Sequence, residues 1–85
     1  MIWNEVKKTY PSQWVLIEAT KARTENEKRI IDYMDVIDNF NENGDEAFQK
    51  YIELHKLHKD REYYIYHTSH EILEIGVKRW MGVRL

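Results

Sequence analysis

Four histidines fall in two pairs of equal spacing, His55-x-x-His58 and His67-x-x-His70. Together they offer imidazole nitrogens suited to a first-row metal such as zinc or nickel. No cysteine supports such a site, and no His-Glu-x-x-His signature is present. His55 and His58 also continue the apolar stripe of Phe48, Tyr51 and Ile52. A partly buried or edge role is therefore preferred, with His55, His58, His67 and His70 kept as metal candidates behind it. Carboxylates form a second set: Asp32, Asp35 and Asp38, with Glu42 and Asp45 beyond. Such groups do acid–base chemistry or hold a hard cation only in a site that perturbs them. The EF-hand pattern is missing, so a solvated acidic edge is expected. Hydroxyls come third. His67-Thr68-Ser69-His70 sets hydroxyls beside imidazoles, as nucleophilic activation requires. Neither Ser12 nor Ser69 lies in Gly-x-Ser-x-Gly, and both residue types are ordinary in turns. Gly44, Gly76 and Gly82 are isolated, which excludes a P-loop or a dinucleotide fingerprint. No catalytic residue is assigned and no cofactor is expected.

Aromatic and cationic residues carry the stronger signal. Tyr63, Tyr64 and Tyr66 are followed by Lys78, Arg79, Trp80 and Arg84. Aromatics for stacking beside cations for phosphate describe a sheet that binds single-stranded nucleic acid. A pI near 6.1 argues against a dedicated nucleic-acid binder. Aromatic strand pairs are also common sheet stabilisers. Exposed aromatic surface more often marks a protein interface, where Tyr, Trp and Arg serve as anchors.

The elements that must position these residues follow from periodicity. Ile2, Trp3, Val6 and Tyr10 are spaced for a short helix ended by Pro11. Trp14-Val15-Leu16-Ile17 opens a strand over 13–23. Residues 24–27 are polar and suit a hairpin loop. Residues 28–40 carry Ile30, Ile31, Tyr33, Met34, Val36, Ile37 and Phe40, whose spacing favours a helix. A helix there would deprive the first strand of its neighbour, and consecutive strands usually pair; a second strand is therefore expected. Asp45 is read as the cap of a main helix over 45–58. Glu62 to His67 reads as a third strand, with Tyr64 and Tyr66 on one face and Tyr63 and Ile65 on the other. From Leu73 to Leu85 odd positions are apolar except Arg79, which predicts a fourth strand paired with the third.

The segment Tyr10-Pro11-Ser12-Gln13-Trp14-Val15-Leu16-Ile17-Glu18 resembles the opening of a set of small uncharacterised bacterial proteins. These share a Tyr-Pro-x-x-Trp-Val-Leu-Ile-Glu start and an α+β pattern of similar length. Glu46-Ala47-Phe48 and Tyr66-His67-Thr68-Ser69 resemble Bacillus-type members of the set. The likeness spans about half the chain. It implies the hairpin reading of residues 13–40 and a bacterial origin. Since no activity is assigned within that set, it transfers no functional residue.

Composition bounds the rest. The chain has 85 residues, 13 Lys plus Arg, 15 Asp plus Glu, and a formal net charge of −2. That length predicts one small domain, residues 1–85, of α+β class and α-β-β-α-β-β order. A mostly antiparallel four-stranded sheet carries one main helix packed on one face. No apolar run approaches the roughly 18 residues of a membrane span, and the first residues lack the apolar core of a secretory signal. The absence of cysteine fits the cytoplasm. The expected function is a non-enzymatic cytoplasmic interaction domain, self-associating as a homodimer or binding a protein partner. Tyr64, Tyr66, Arg79 and Trp80 are its candidate anchors on an open sheet face. A single-strand nucleic-acid binder and a metal-binding protein are the alternatives.

Overall fold

The computed structural model describes residues 1–76. Arg79, Trp80 and most of the expected fourth strand lie outside the described residues. The elements are α1 (Trp3–Thr9), β1 (Trp14–Glu25), β2 (Lys28–Asn39), α2 (Gly44–Leu57), β3 (Tyr63–His67) and β4 (Ile75–Gly76). This is the α-β-β-α-β-β order, with all neighbouring strands antiparallel.

Residues 28–39 are strand despite their helical periodicity. Asn26 and Glu27, both at positive φ, close a two-residue hairpin between β1 and β2. Such a turn matches the natural twist of paired strands, and Asn is among the residues that tolerate it. The register then steps over Thr20, Asp32 and Ile37. Each step is a bulge that leaves one residue unpaired and bends the strand.

The sheet order is β3-β1-β2-β4. The expected second hairpin is therefore corrected. β3 pairs with the first five residues of β1, Trp14 to Glu18. β4 pairs with Lys28 and Arg29 at the far end of β2. The last two strands lie on opposite edges, joined by a segment that crosses the sheet.

Two small cores sit on the two faces. On one, Trp3 and Val6 of α1 pack with Val15, Ile17 and Met34, with Tyr64, Tyr66 and Leu73 around them. On the other, Ala47 of α2 packs with Leu16, Phe40 and Tyr63, beside Trp14, Tyr51, Leu54 and Ile65. The strand alternation of β1 sends Val15 and Ile17 one way and Leu16 the other, so the strand is buried on both sides. Asn43, rather than Asp45, caps α2: its side chain accepts from the Glu46 amide at 3.0 Å. Gly44 starts the helix directly against the Trp14 indole, where an added Cβ would stand 3.2 Å from ring atoms.

Thr68 fastens the two ends of this arrangement. Among the described residues it is the buried polar side chain of the core. Its hydroxyl donates to the Tyr10 carbonyl at 2.6 Å and accepts from the Gln13 amide at 3.0 Å. Both of its hydrogen-bonding roles are thus satisfied without water.

Candidate interaction surface

Tyr64 and Tyr66 share a face, and α1 covers that face. The Tyr66 ring meets Trp3 edge-on at 5.6 Å, and its hydroxyl donates to the Glu74 carbonyl at 3.2 Å. Trp3 in turn donates its indole N–H to the His70 carbonyl at 3.0 Å. Tyr64 belongs to a polar cluster below. Arg29 donates from Nε and Nη2 to the two Glu62 oxygens at 2.7 and 2.8 Å, a bidentate pair. The Tyr64 hydroxyl donates to Glu62 Oε2 at 2.5 Å. Hydrogen bonding from Arg29 holds the Glu62 carboxyl below its ordinary range. Burial, then the Glu62 hydrogen bond, pushes the Tyr64 phenol up to about 12. Both tyrosines are half-buried and hydrogen-bonded internally. They hold the 62–74 region onto the sheet.

The histidines do not converge. Among the described residues no group of three or more His, Cys, Asp or Glu is placed to hold a metal ion. His55 and His58 are exposed at the end of α2, not partly buried. His55 stacks on Tyr51 at 5.8 Å. His70 lies against the Tyr66 ring at 4.7 Å.

His67 is different. Its Nδ1 lies 2.8 Å from Ser69 Oγ, and its Nε2 lies 3.0 Å from Glu42 Oε1. The Ser69 amide donates to Nδ1 at 3.2 Å, which places the ring proton on Nε2, facing Glu42. Hydroxyl, imidazole and carboxylate thus stand in the order that activates a nucleophile. Ser69 and His67 are neighbours in sequence, whereas Glu42 comes from twenty-five residues away and no local spacing points to it. The set lines none of the three grooves described below. Its local spacing is that of a turn closing on its own imidazole. The Trp14 ring edge, 5.3 Å away, packs the imidazole in place.

Asp32, Asp35 and Asp38 spread along β2 as a solvated edge. Asp32 accepts from Arg23 Nη1 at 2.6 Å, and Asp38 borders a groove beside α2.

What remains open is apolar and lies mostly off the expected face. Phe48 is 50% exposed, Leu57 69% and Ile72 70%, with Tyr33 and Ile37 also in solvent. Phe48, Tyr51 and His55 form a near-parallel stack along α2, with ring centres 6.3 and 5.8 Å apart. Helical spacing of three and four residues aligns these rings on one flank. On the other flank a groove of about 820 Å³ runs between α2 and the end of β2, over Phe40, Ile52 and Leu57. Lys50, Lys56, Asp38, Glu46 and Glu53 rim it. A groove of about 410 Å³ lies between Trp3, Ile31, Ile72 and Ile75. The third, by Ile2 and Tyr33, is bordered by Lys21, Arg23 and Asp32. No family model, curated protein or solved structure matches the chain. Among the described residues no helix is long and apolar enough to cross a membrane.

Proposed function

We propose that this chain is a small, non-enzymatic protein-interaction domain of the bacterial cytoplasm that self-associates and offers aromatic anchors to a protein partner. The observation that supports this reading is the Phe48–Tyr51–His55 stack, with half of Phe48 left in water. Phe48 belongs to neither core cluster. The stack on Tyr51 is worth only about 0.2–0.5 kcal/mol to the helix, whereas ordered aromatic anchors at an interface lose little entropy on binding. Mixed charges around the neighbouring groove fit a protein partner better than a polyanion, which needs a basic excess.

The test pairs sedimentation with affinity capture from a lysate of the source organism, with and without nuclease. Wild-type protein is expected to associate with concentration and to retain one stoichiometric protein. Phe48→Ala is expected to keep its circular dichroism and lose the retained protein. A chain that stays monomeric and retains nothing overturns the reading. So does nuclease-sensitive recovery, which would favour a nucleic-acid site, or equal retention by Phe48→Ala.

A further inference from the structure

The two long edges of the sheet are treated differently. β2 is guarded along its outer side. Met1 pairs with Met34 through both backbone groups, at 2.7 and 2.8 Å. β4 covers Lys28 and Arg29. The bulge at Asp32 lies between them, and beyond Met34 come the bulge at Ile37 and the charges of Asp35 and Asp38. These are the usual devices that stop an edge from recruiting another strand.

Among the described residues, β3 has none of them. Tyr63-Tyr64-Ile65-Tyr66-His67 contains no Asp, Glu, Lys, Arg or Pro and pairs with β1 without a bulge. The Ala19 amide bonds the Glu62 carbonyl and the Thr68 amide bonds the Gln13 carbonyl. Since hydrogen-bonding direction alternates along an antiparallel strand, Tyr64 and Tyr66 also bond β1. Tyr63, Ile65 and His67 therefore turn their amides and carbonyls outward. Of these groups, the His67 carbonyl accepts from the His70 amide; no other described residue pairs with them.

We infer that β3 is the self-association edge: it pairs antiparallel with β3 of a second copy about a two-fold axis at Ile65. The occupant is chosen by the strand itself. Its sequence is aromatic at matching distances on both sides of Ile65. Antiparallel pairing about that residue sets Tyr64 against the second copy's Tyr66 on one face, and Tyr63 against its His67 on the other. Such aromatic cross-strand pairs stabilise sheets. With no Asp, Glu, Lys or Arg between 63 and 67, the axis sets no pair of these charged residues against each other within the strand. A self-complementary patch is what a two-fold contact requires. The inference rests on the proposed self-association and specifies its geometry.

Sedimentation and residue-resolved amide exchange on the wild-type protein, over a concentration series, test it. In the dimer the Ile65 and His67 amides are expected to slow about tenfold or more, since they gain partners. The Val36 amide, facing out from the guarded β2 edge by the same alternation, is expected to stay unchanged. Ile65→Pro removes an outward donor, a change edge strands accept, together with a half-buried side chain beside the α2 core; it is expected to sediment as a monomer, with circular dichroism to check that it stays folded. A dimer whose Ile65 and His67 amides do not slow overturns the edge geometry while leaving self-association standing. A monomer at every concentration removes both.

Discussion

Glu62 is the residue that joins β2 to β3 through a polar cluster. It accepts from Nε and Nη2 of Arg29 and from the phenol of Tyr64. Arg29 holds its carboxyl ionised below the ordinary value of 4.5. The folded chain therefore binds that proton less readily than the unfolded chain. The stabilisation is complete above 4.5 and is lost as pH falls through the depressed folded value. Glu62→Gln is expected to be less stable than wild type at neutral pH, and the gap is expected to close in acid. Urea midpoints measured from about pH 7 to about pH 2 check this. Tyr64 gives the opposite limb. Its phenol is raised to about 12, so its contribution is present below 10 and is lost as pH rises through 12. Phenolate absorbance should show one late-titrating tyrosine near 12, absent from Tyr64→Phe. If the late step survives that substitution, the assignment to Tyr64 fails.

At the scale of elements, the β1–β2 hairpin organises the rest, and its turn is the exposed weak point. Asn26 sits at φ 50, a conformation that costs a β-branched residue about 1–2 kcal/mol. Asn26→Val is expected to lower stability by that amount without altering the core, as read by thermal melting. Asn43→Ala removes the α2 cap and is expected to cost about 1 kcal/mol. The same hairpin shows what a sequence can and cannot convey. Leu16 and Ile17 announce β1 because every side chain from 15 to 17 is buried. β2 announces itself poorly because bulges at Asp32 and Ile37 shift its alternation each time. A period of two with such steps imitates the spacing of a helix, and only the need of β1 for a neighbour chose the strand. The place of β4 was hidden for another reason. The turn-like residues 68–71 suit a hairpin, but Thr68 is tied to Tyr10 and Gln13, and the Trp3 indole holds His70. Those contacts lie more than fifty residues apart in sequence and carry the chain across the sheet to β2. The interface residues suffered likewise. Tyr64 and Tyr66 were read correctly as sharing a face, yet no local pattern tells whether a seven-residue helix folds over it.

For the whole molecule that helix decides what is surface and what is core. A chain of this size buries only about 60–65% of its unfolded surface, so few side chains can be spared. α1 supplies two of them, Trp3 and Val6, and Trp3 touches three parts of the fold at once. Its ring packs with Val15, Ile17 and Met34, its edge meets Tyr66, and its N–H holds the His70 carbonyl. Trp3→Ala is expected to cost about 3–5 kcal/mol, a large part of the stability a small domain possesses. Trp3→Phe keeps most of the apolar contact and loses the hydrogen bond, so a much smaller loss is expected. The distribution of the damage is the sharper test. With the Trp3 indole N–H gone, the restraint on the 68–74 segment is lost while most of the apolar cover over Tyr64 and Tyr66 stays. Amide exchange in Trp3→Phe should therefore accelerate at His70 and Glu74, whose amides bond the His67 carbonyl and the Tyr66 hydroxyl, well before it does at Leu16, which belongs to the α2 core. Uniform acceleration across both faces would mean that the two cores open as one unit, and that α1 is an integral half of the domain and not a cover laid upon it.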